Sequence, residues 1–494
     1  MHLIYALLLF FVMSCGINEK EIIKEVEVPS APPINPPPPL EPDRPDFLNF
    51  DQLEQYALND LNSLSDSDRL NARYLIGTNL FNAGDKDLTF EAAGVNKGIN
   101  SISNQRLLTS AVSIDPTNSI WRVDISEFGL TRSLWRDFEK FNLVQFVSQS
   151  TRGITLRFLT QSNQPIVFAT SFFTTVLGAD QLSVDNGLYY KFLRQPANNA
   201  DFFLDTLGID LNREIQEENI LCAGGGNSRI ALGKTRGICI VRSNNGFAMF
   251  TADTSTANPD SILTNPFILE IANAGGVLNS DKIFDFAALE VIYSLPNGLV
   301  TGYRLANSGL DIPSILGGTA ETVAPTNVVI DTEQSSIGFT PDITLGSCHL
   351  CHHQTAAIQF KDQVFDQVIG AGGFDAEEKD LAETFFRNDA FQAEIQNVNR
   401  QHSQALQEIG VSTLSQDPIV TGLIQPLRRE LDVNAVASYT FLPVEEFKIR
   451  LNGTNNSKLV FGSLLSEGGT VQFADFSANY SLLIDELLLF RDKL

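Results

Sequence analysis

The residues best suited to chemistry form one short segment, Cys348-His349-Leu350-Cys351-His352. The two cysteines stand three positions apart, so a single helical turn places both thiols on one face. The histidine directly after the second cysteine can then direct its imidazole towards the same ligand. This C-x-x-C-H spacing is the attachment signature of c-type haem, in which the thiols form thioethers and His352 is an axial ligand of the iron.

The motif is too rare to be expected by chance. Of 494 residues, 5 are cysteine and 5 are histidine, so random placement would produce the pattern about once in 2,000 such chains. Two other uses of the cysteines stay open. A zinc site would need a fourth ligand from the adjacent His349 or His353, and a redox-active Cys-x-x-Cys pair would favour a βαβ context that this sequence lacks.

The occupant of the sixth coordination position of the haem iron distinguishes electron transfer from binding of small ligands. A side chain at this position favours electron transfer, and an open position favours ligand binding. No methionine follows the motif, so Met249 would have to reach the iron from a predicted hairpin far upstream. His402 is the other candidate, because it falls in register with the apolar positions of a predicted helix. The same register also suits a buried structural histidine. A third alternative is an open sixth position, which would admit a diatomic ligand or peroxide.

The remaining histidines near the motif are poorly placed for the opposite face of the haem. His349 and His353 are therefore predicted to be exposed or hydrogen-bonded to a propionate. No serine, histidine and aspartate constellation is available beyond these residues, so no catalytic residue is assigned.

Cys222 and Cys239 are predicted to form a disulfide. A bridge across 17 residues stabilises a fold by about 3 kcal/mol in the chain-entropy model, and it requires an oxidising compartment. The glycines at 224–226 are expected to let the intervening loop turn freely. Two free buried thiols are the alternative.

The N-terminus predicts export. Leu3 to Phe11 is an apolar run, too short to span a bilayer and suited to the core of a signal peptide. The run ends at Val12-Met13-Ser14-Cys15-Gly16, which resembles the lipobox of bacterial lipoproteins, whose cysteine is acylated after cleavage. That resemblance implies a signal peptide over 1–14, a lipid on Cys15 and, with glycine at 16, sorting to the outer membrane or cell surface, where the chain could also face the periplasm. An ordinary secretory signal is the alternative.

A proline-rich tether follows over 15–47. Nine prolines lie between Pro29 and Pro45, and proline-rich chain adopts extended polyproline II. At about 3.1 Å per residue, the segment would hold the folded part roughly 50 Å from its anchor.

The overall charge restricts the partners. The chain has 34 Lys and Arg against 59 Asp and Glu, a net charge of −25, which repels phosphate backbones and makes nucleic acid an unsuitable partner. Ser228 to Thr235 weakly resembles a phosphate-binding loop but lacks the opening glycine, so no nucleotide is expected. The membrane, through the lipid anchor, and an unidentified redox protein are the expected partners.

The elements that position the motif are mixed. Helical spacing predicts helices over 51–64, 68–82 with a stop at Gly84, a short stretch around Trp135, the chain from about 375 to 406, 418–450 and 480–491. Alternation predicts strands over 119–125 and 154–158, and hairpins are predicted at Asn245-Gly246 and Asn297-Gly298. The fold class is therefore α+β, with a mixed helix and hairpin domain over 48–330 and a mainly α-helical, cytochrome c-like haem region over 331–494.

Several stretches resemble a family of exported bacterial proteins that carry a single C-x-x-C-H motif and have no established reaction. They are Arg73–Gly84, Ser119–Ile125, Leu295–Leu299, Gly346–His352 and the helix from Asp389 to Ala405. The resemblance covers about 70–494 and implies covalent haem with His352 as proximal ligand. One position departs from it, because Asn79 stands where the family's opening motif has histidine.

These observations predict a membrane-anchored monohaem c-type cytochrome that transfers electrons. A haem oxidoreductase of peroxidase type and a haem-based sensor are the alternatives, and both require an open distal site. The usual di-haem peroxidases need two C-x-x-C-H motifs, whereas this chain has one.

Overall fold

A computed structural model describes residues 45–139, 146, 148–162, 167–169, 188–228, 231–254, 286–307, 348–349, 352, 357–358, 360, 376, 387–411, 414, 416–425 and 430–490. The predictions for the signal peptide, Cys15 and most of the tether lie outside these residues. So do Cys351, His353 and the boundary predicted at 330, all of which stay predictions.

The described chain contains both helices and strands, as the α+β assignment requires. The strands are β1 Ala72–Ile76, β2 Val112–Ser113, β3 Ile120–Asp124, β4 Val167–Ala169, β5 Leu221–Ser228, β6 Ala231–Ser243, β7 Gly246–Thr254, β8 Phe286–Tyr293, β9 Gly302–Asn307, β10 Leu431–Asp432 and β11 Thr470–Val471. The α-helices are α1 Phe50–Ser63, α2 Asp66–Asn71, α3 Thr78–Ala83, α4 Thr89–Ser101, α5 Arg132–Glu139, α6 Thr151–Leu159, α7 Leu188–Phe192, α8 Asn199–Asp201, α9 Leu211–Gln216, α10 Asn388–Glu408, α11 Val433–Tyr439, α12 Val444–Asn452, α13 Asn456–Phe461 and α14 Phe473–Glu486. Two π-helical segments, Phe202–Leu207 and Ile419–Ile424, and a 3-10 turn, Gly462–Leu465, complete the regular structure.

The predicted helix over 68–82 is wrong. The structure divides this stretch into α2, the strand β1 and α3, and Gly84 ends α3 in the left-handed conformation with φ of +114°. β1 is the third strand in the order β2-β3-β1-β4, so it has a neighbour on each side. All five of its residues are buried. A strand buried on both faces has no polar alternation, which is why its apolar residues could be fitted to a helical period.

The four-stranded sheet separates two hydrophobic cores. Tyr74 and Ile76 on one face of β1 join the core formed by α1 and the C-terminal helices α11 to α14. Leu75 on the other face joins the larger core, which contains α4, α5, the second sheet and α10. This alternation follows from the period of two in a strand. The C-x-x-C-H motif begins in the larger core, because Cys348 is part of it.

The second sheet is an antiparallel meander in the order β5-β6-β7-β8-β9. Both predicted hairpins are confirmed, since Ser243 pairs with Gly246 and Tyr293 pairs with Gly302 on either side of the turns. Cys222 and Cys239 stand directly opposite each other on β5 and β6, and a disulfide joins them. The glycines at 224–226 continue β5 in register with β6 rather than forming a free turn. Their lack of side chains does not prevent ladder pairing.

Other local predictions have mixed outcomes. The strand predicted over 154–158 is wrong, because these residues lie in α6, which begins after the N-cap Ser150. Of the three alternating residues, Ile154 and Phe158 are exposed and Leu156 is buried, so the alternation did not mark a buried face. The strand at β3, the helix around Trp135 and the helix α10 are confirmed. None of the described helices has the length and hydrophobicity needed to cross a membrane.

Candidate functional site

The motif begins with a buried helical turn. The backbone N–H of His352 donates to the carbonyl of Cys348 at 2.8 Å, so the first and fifth residues of the motif stand one turn apart. Cys348 is buried, and its proximity adds to the burial that raises the pKa of Tyr190 to about 12. The ring of Tyr303 on β9 lies 6.1 Å from that of His352, measured between centroids. The motif is therefore seated against α7 and β9.

His352 has a defined tautomer. Its Nδ1 lies 2.7 Å from the carbonyl oxygen of Ala357. A carbonyl oxygen can only accept a hydrogen bond, so Nδ1 carries a proton, and in the neutral ring the lone pair is then on Nε2. Histidines that bind metals usually donate their other ring N–H to a carbonyl or carboxylate, which fixes the ring and makes the ligating nitrogen more basic. The contact with Ala357 is therefore the one expected of a histidine that binds a metal through Nε2.

The segment that orients His352 is held by α10. Both backbone groups of Ile358, the residue after Ala357, bond to the side-chain amide of Asn399 at 2.9 Å. A second contact joins the amide of Gln392 to the carbonyl of Phe360 at 3.0 Å. Since α10 also packs into the larger core through Phe391, the helix forms a rigid support for the loop that holds His352.

We expect Asn399→Ala to destabilise the protein by about 2 kcal/mol, because it leaves two backbone groups of Ile358 without partners, each worth about 1 kcal/mol. Asn397→Ala is the matched control, since Asn397 is exposed on the same helix and bonds only to surface side chains. Urea unfolding of the two variants measures the difference. Equal unfolding free energies would show that the amide clamp contributes nothing.

His402 lies on the buried face of α10, as its register predicted. Only 1% of its surface is exposed. Its Nδ1 accepts a hydrogen bond from the backbone N–H of Val300 at 3.0 Å, so the neutral ring carries its proton on Nε2. That Nε2 has no partner among the residues that the structure describes. An imidazole in this tautomer presents a donor rather than a lone pair, which opposes the prediction that His402 is the distal ligand.

His349 is buried rather than exposed. Its ring meets Tyr303 edge-on at 5.6 Å between centroids, and 1% of its surface is accessible. Burial lowers the pKa of His349 to about 3, and the nearby Lys97 adds to this effect. The prediction of exposure is therefore wrong, and the alternative of a propionate partner stays open. Nδ1 of the His349 ring has no hydrogen-bond partner within the described ranges.

A buried ion pair stands beside these histidines. Lys97 on α4 contacts Asp417, and the side chains of both are almost fully buried. The other carboxylate oxygen of Asp417 accepts the backbone N–H groups of Ile419 and Val420 at 2.9 and 3.2 Å. Burial lowers the pKa of His402 well below its usual value, and Lys97 lowers it further. The ion pair and the three histidines thus share one polar region within the larger core.

The same region has an ordered aromatic wall. The hydroxyl of Tyr189 donates to the carbonyl of Thr301 at 2.8 Å and accepts the N–H of Tyr303 at 2.9 Å. The amide of Gln195 donates to the Tyr303 carbonyl at 3.0 Å. These contacts tie α7 and the following loop to β9 and fix the strand that carries Tyr303.

The other candidate ligand, Met249, is buried in β7. In the sheet register it stands between Ile240 of β6 and Ile292 of β8. It shares the larger core with Cys348, so the structure leaves it open as a ligand.

The described part of the site lacks a closed metal cage. No group of three or more histidine, cysteine, aspartate or glutamate side chains that could hold a metal ion occurs in the residues described, which do not include Cys351 or His353. Sequence reasoning missed Lys97, Asp417 and Asn399, because no motif marks them. The helical period could have indicated only that Lys97 lies on α4.

Comparisons with protein-family models, curated proteins and solved structures found no match to this chain.

Proposed function

We propose that this chain is an exported, membrane-anchored c-type cytochrome that holds one haem covalently and transfers electrons. The observation that carries the proposal is the tautomer of His352. Within a C-x-x-C-H motif, the residue expected to bind iron bonds through Nδ1 to the Ala357 carbonyl, which is the arrangement usual for histidines that bind metals through Nε2. The donor set of this structure therefore fits a haem iron.

Cys348, Cys351 and His352 would hold the group. The two thiols would form thioethers with the haem vinyl groups by addition of S–H across each double bond, which needs neither an oxidant nor a reductant. The haem, when bound, supplies one-electron cycling between Fe(II) and Fe(III). His352 anchors the iron, and the amide clamp of Asn399 on Ile358 restrains the loop that orients the His352 ring.

The surroundings suit a buried redox group. Cys348 and His349 are almost fully buried, and burial keeps His349 neutral because its pKa is lowered to about 3. A protected, low-dielectric shell controls solvent access and tunes the reduction potential of a metal centre. We assign the haem to the region over 331–494 and propose that the domain over 48–330 covers it or docks a redox partner. A lipid on Cys15 and the tether over 15–47 would present both regions beyond the membrane surface.

A second candidate function is supported by His402. Because Nδ1 of His402 accepts from Val300, its Nε2 carries a proton and offers no lone pair to iron. This favours an open sixth position, which is what a peroxidase-like oxidoreductase or a haem-based sensor requires.

The test of the proposed function is an optical spectrum of the reduced, exported protein before and after addition of carbon monoxide, together with haem staining of a denaturing gel. Covalent haem predicts a stained band at the mass of the chain. An α band that carbon monoxide leaves unchanged indicates two firm axial ligands and electron transfer. A Soret shift indicates the open site. Absence of haem bands from cells competent in haem attachment would overturn the proposal.

A further inference from the structure

We propose that His402 is a hydrogen-bond donor to a small anionic ligand on the haem iron, not an iron ligand itself. The inference rests on the proposed covalent haem with the open sixth position of the second candidate function, and it deepens that function, since it names the ligand class and the residue that recognises it. The class is a small ligand whose free atom accepts a hydrogen bond strongly, such as azide, cyanide or the peroxide anion.

The direction of the hydrogen bond follows from the backbone. Val300 can only donate through its N–H, and that N–H points at Nδ1 of His402 at 3.0 Å. Binding of iron by a neutral His402 would need the proton on Nδ1, where it would oppose the Val300 N–H. The buried backbone N–H would then lose its partner, which costs about 1–3 kcal/mol. The loop between β8 and β9 therefore selects the tautomer that donates from Nε2.

The donor is not used by the surrounding protein. Nε2 of His402 is buried and has no partner within the described ranges, although most buried polar atoms in native structures are paired. Because Nδ1 accepts the Val300 N–H, it carries no proton, so the ring is neutral and has a single N–H, on Nε2. A buried donor without a partner is suited to a ligand that supplies the acceptor.

The support of His402 connects it to the iron-binding histidine. Asn399 stands three residues before His402 on α10, and its amide holds Ile358, whose neighbour Ala357 orients His352. The segment that contacts His402 also leads to His352: Val300 lies three residues before Tyr303, whose ring is 6.1 Å from that of His352 between centroids. One helix thus positions both the ring that would bind iron and the ring that would donate to its ligand.

The experiment compares azide binding to the ferric, haem-loaded protein in wild type and three variants. His402→Leu removes the donor, and His402→Gln keeps an N–H at the end of the side chain. Ser403→Leu places the same leucine one position later, on the exposed face of α10. We expect His402→Leu to weaken azide binding roughly ten- to hundredfold, because hydrogen bonds to charged acceptors are stronger than those to neutral ones.

The controls separate a hydrogen bond from a change in packing. We expect carbon monoxide affinity of the ferrous protein to change less than about threefold in His402→Leu, since carbon monoxide is a weak acceptor. His402→Gln should recover most of the azide affinity, and Ser403→Leu should match wild type. The infrared stretch of bound carbon monoxide should shift in His402→Leu only, which gives a readout independent of affinity.

The outcomes distinguish the two proposals. A wild-type protein without covalent haem would refute the proposed function. A haem-loaded protein that is six-coordinate in wild type and five-coordinate in His402→Leu would make His402 the ligand and overturn only the donor role. A six-coordinate spectrum that persists in His402→Leu would also overturn the donor role. So would equal azide affinity of the wild type and His402→Leu.

Discussion

Replacement of Cys348 and Cys351 together by alanine should abolish covalent haem and leave an unstained chain on a denaturing gel. Each cysteine would supply the sulfur of one thioether, whereas the described Cys222 and Cys239 are joined to each other in a disulfide. Haem held by His352 alone would be retained only through iron coordination, which denaturation breaks. Haem staining and the pyridine haemochrome spectrum of the purified protein measure the loss.

The matched control is the double variant Cys222→Ala and Cys239→Ala. It removes the same number of sulfurs from β5 and β6 and leaves the motif intact. We expect it to keep the stained band and to unfold at lower urea concentration, since removal of a native disulfide costs about 2–5 kcal/mol. A stained band in the variant that lacks Cys348 and Cys351 would mean that the haem is attached to other residues of the chain.

The helical turn that begins the motif was predictable because it is local. C-x-x-C-H depends on spacing within one helical turn, and the sequence alone shows that spacing. The hairpin at Asn297-Gly298 was predictable for a similar reason, since Gly298 supplies the positive φ of +85° that the loop requires. The apolar face of α10 also followed directly from its period, with His402 buried among its apolar residues.

The predictions that failed depended on distant partners. β1 is a strand because β3 and β4 flank it, and the apolar residues of 72–76 alone do not exclude a helix. The tautomer of His402 depends on a backbone N–H that is 102 residues away. Asn399 reaches Ile358 across 41 residues. A periodicity can place such a side chain on a buried face, but it carries no information about the group that meets it there.

The ion pair between Lys97 and Asp417 is the most distant of these contacts, at 320 residues apart, and the stability of the site depends on it. We expect Asp417→Ala to lower the free energy of unfolding by about 3–5 kcal/mol, because it leaves a fully buried ammonium without its counter-ion. The substitution also removes the acceptor for the N–H groups of Ile419 and Val420. Urea unfolding followed by far-ultraviolet circular dichroism measures the change.

Replacement of the other partner of the ion pair, Lys97, should lower the free energy of unfolding by less than replacement of Asp417 does. In Lys97→Met the Asp417 carboxylate keeps its two backbone donors and the methionine fills most of the lysine's volume, so we expect a loss of about 1–3 kcal/mol. Asp66→Ala breaks the exposed pair with Arg69 and should cost less than about 1 kcal/mol. If Asp417→Ala and Lys97→Met destabilised the protein equally, the backbone hydrogen bonds to Asp417 would add nothing. If neither exceeded Asp66→Ala, the buried pair would not be holding α4 to the Ile419–Ile424 segment beside His349 and His402.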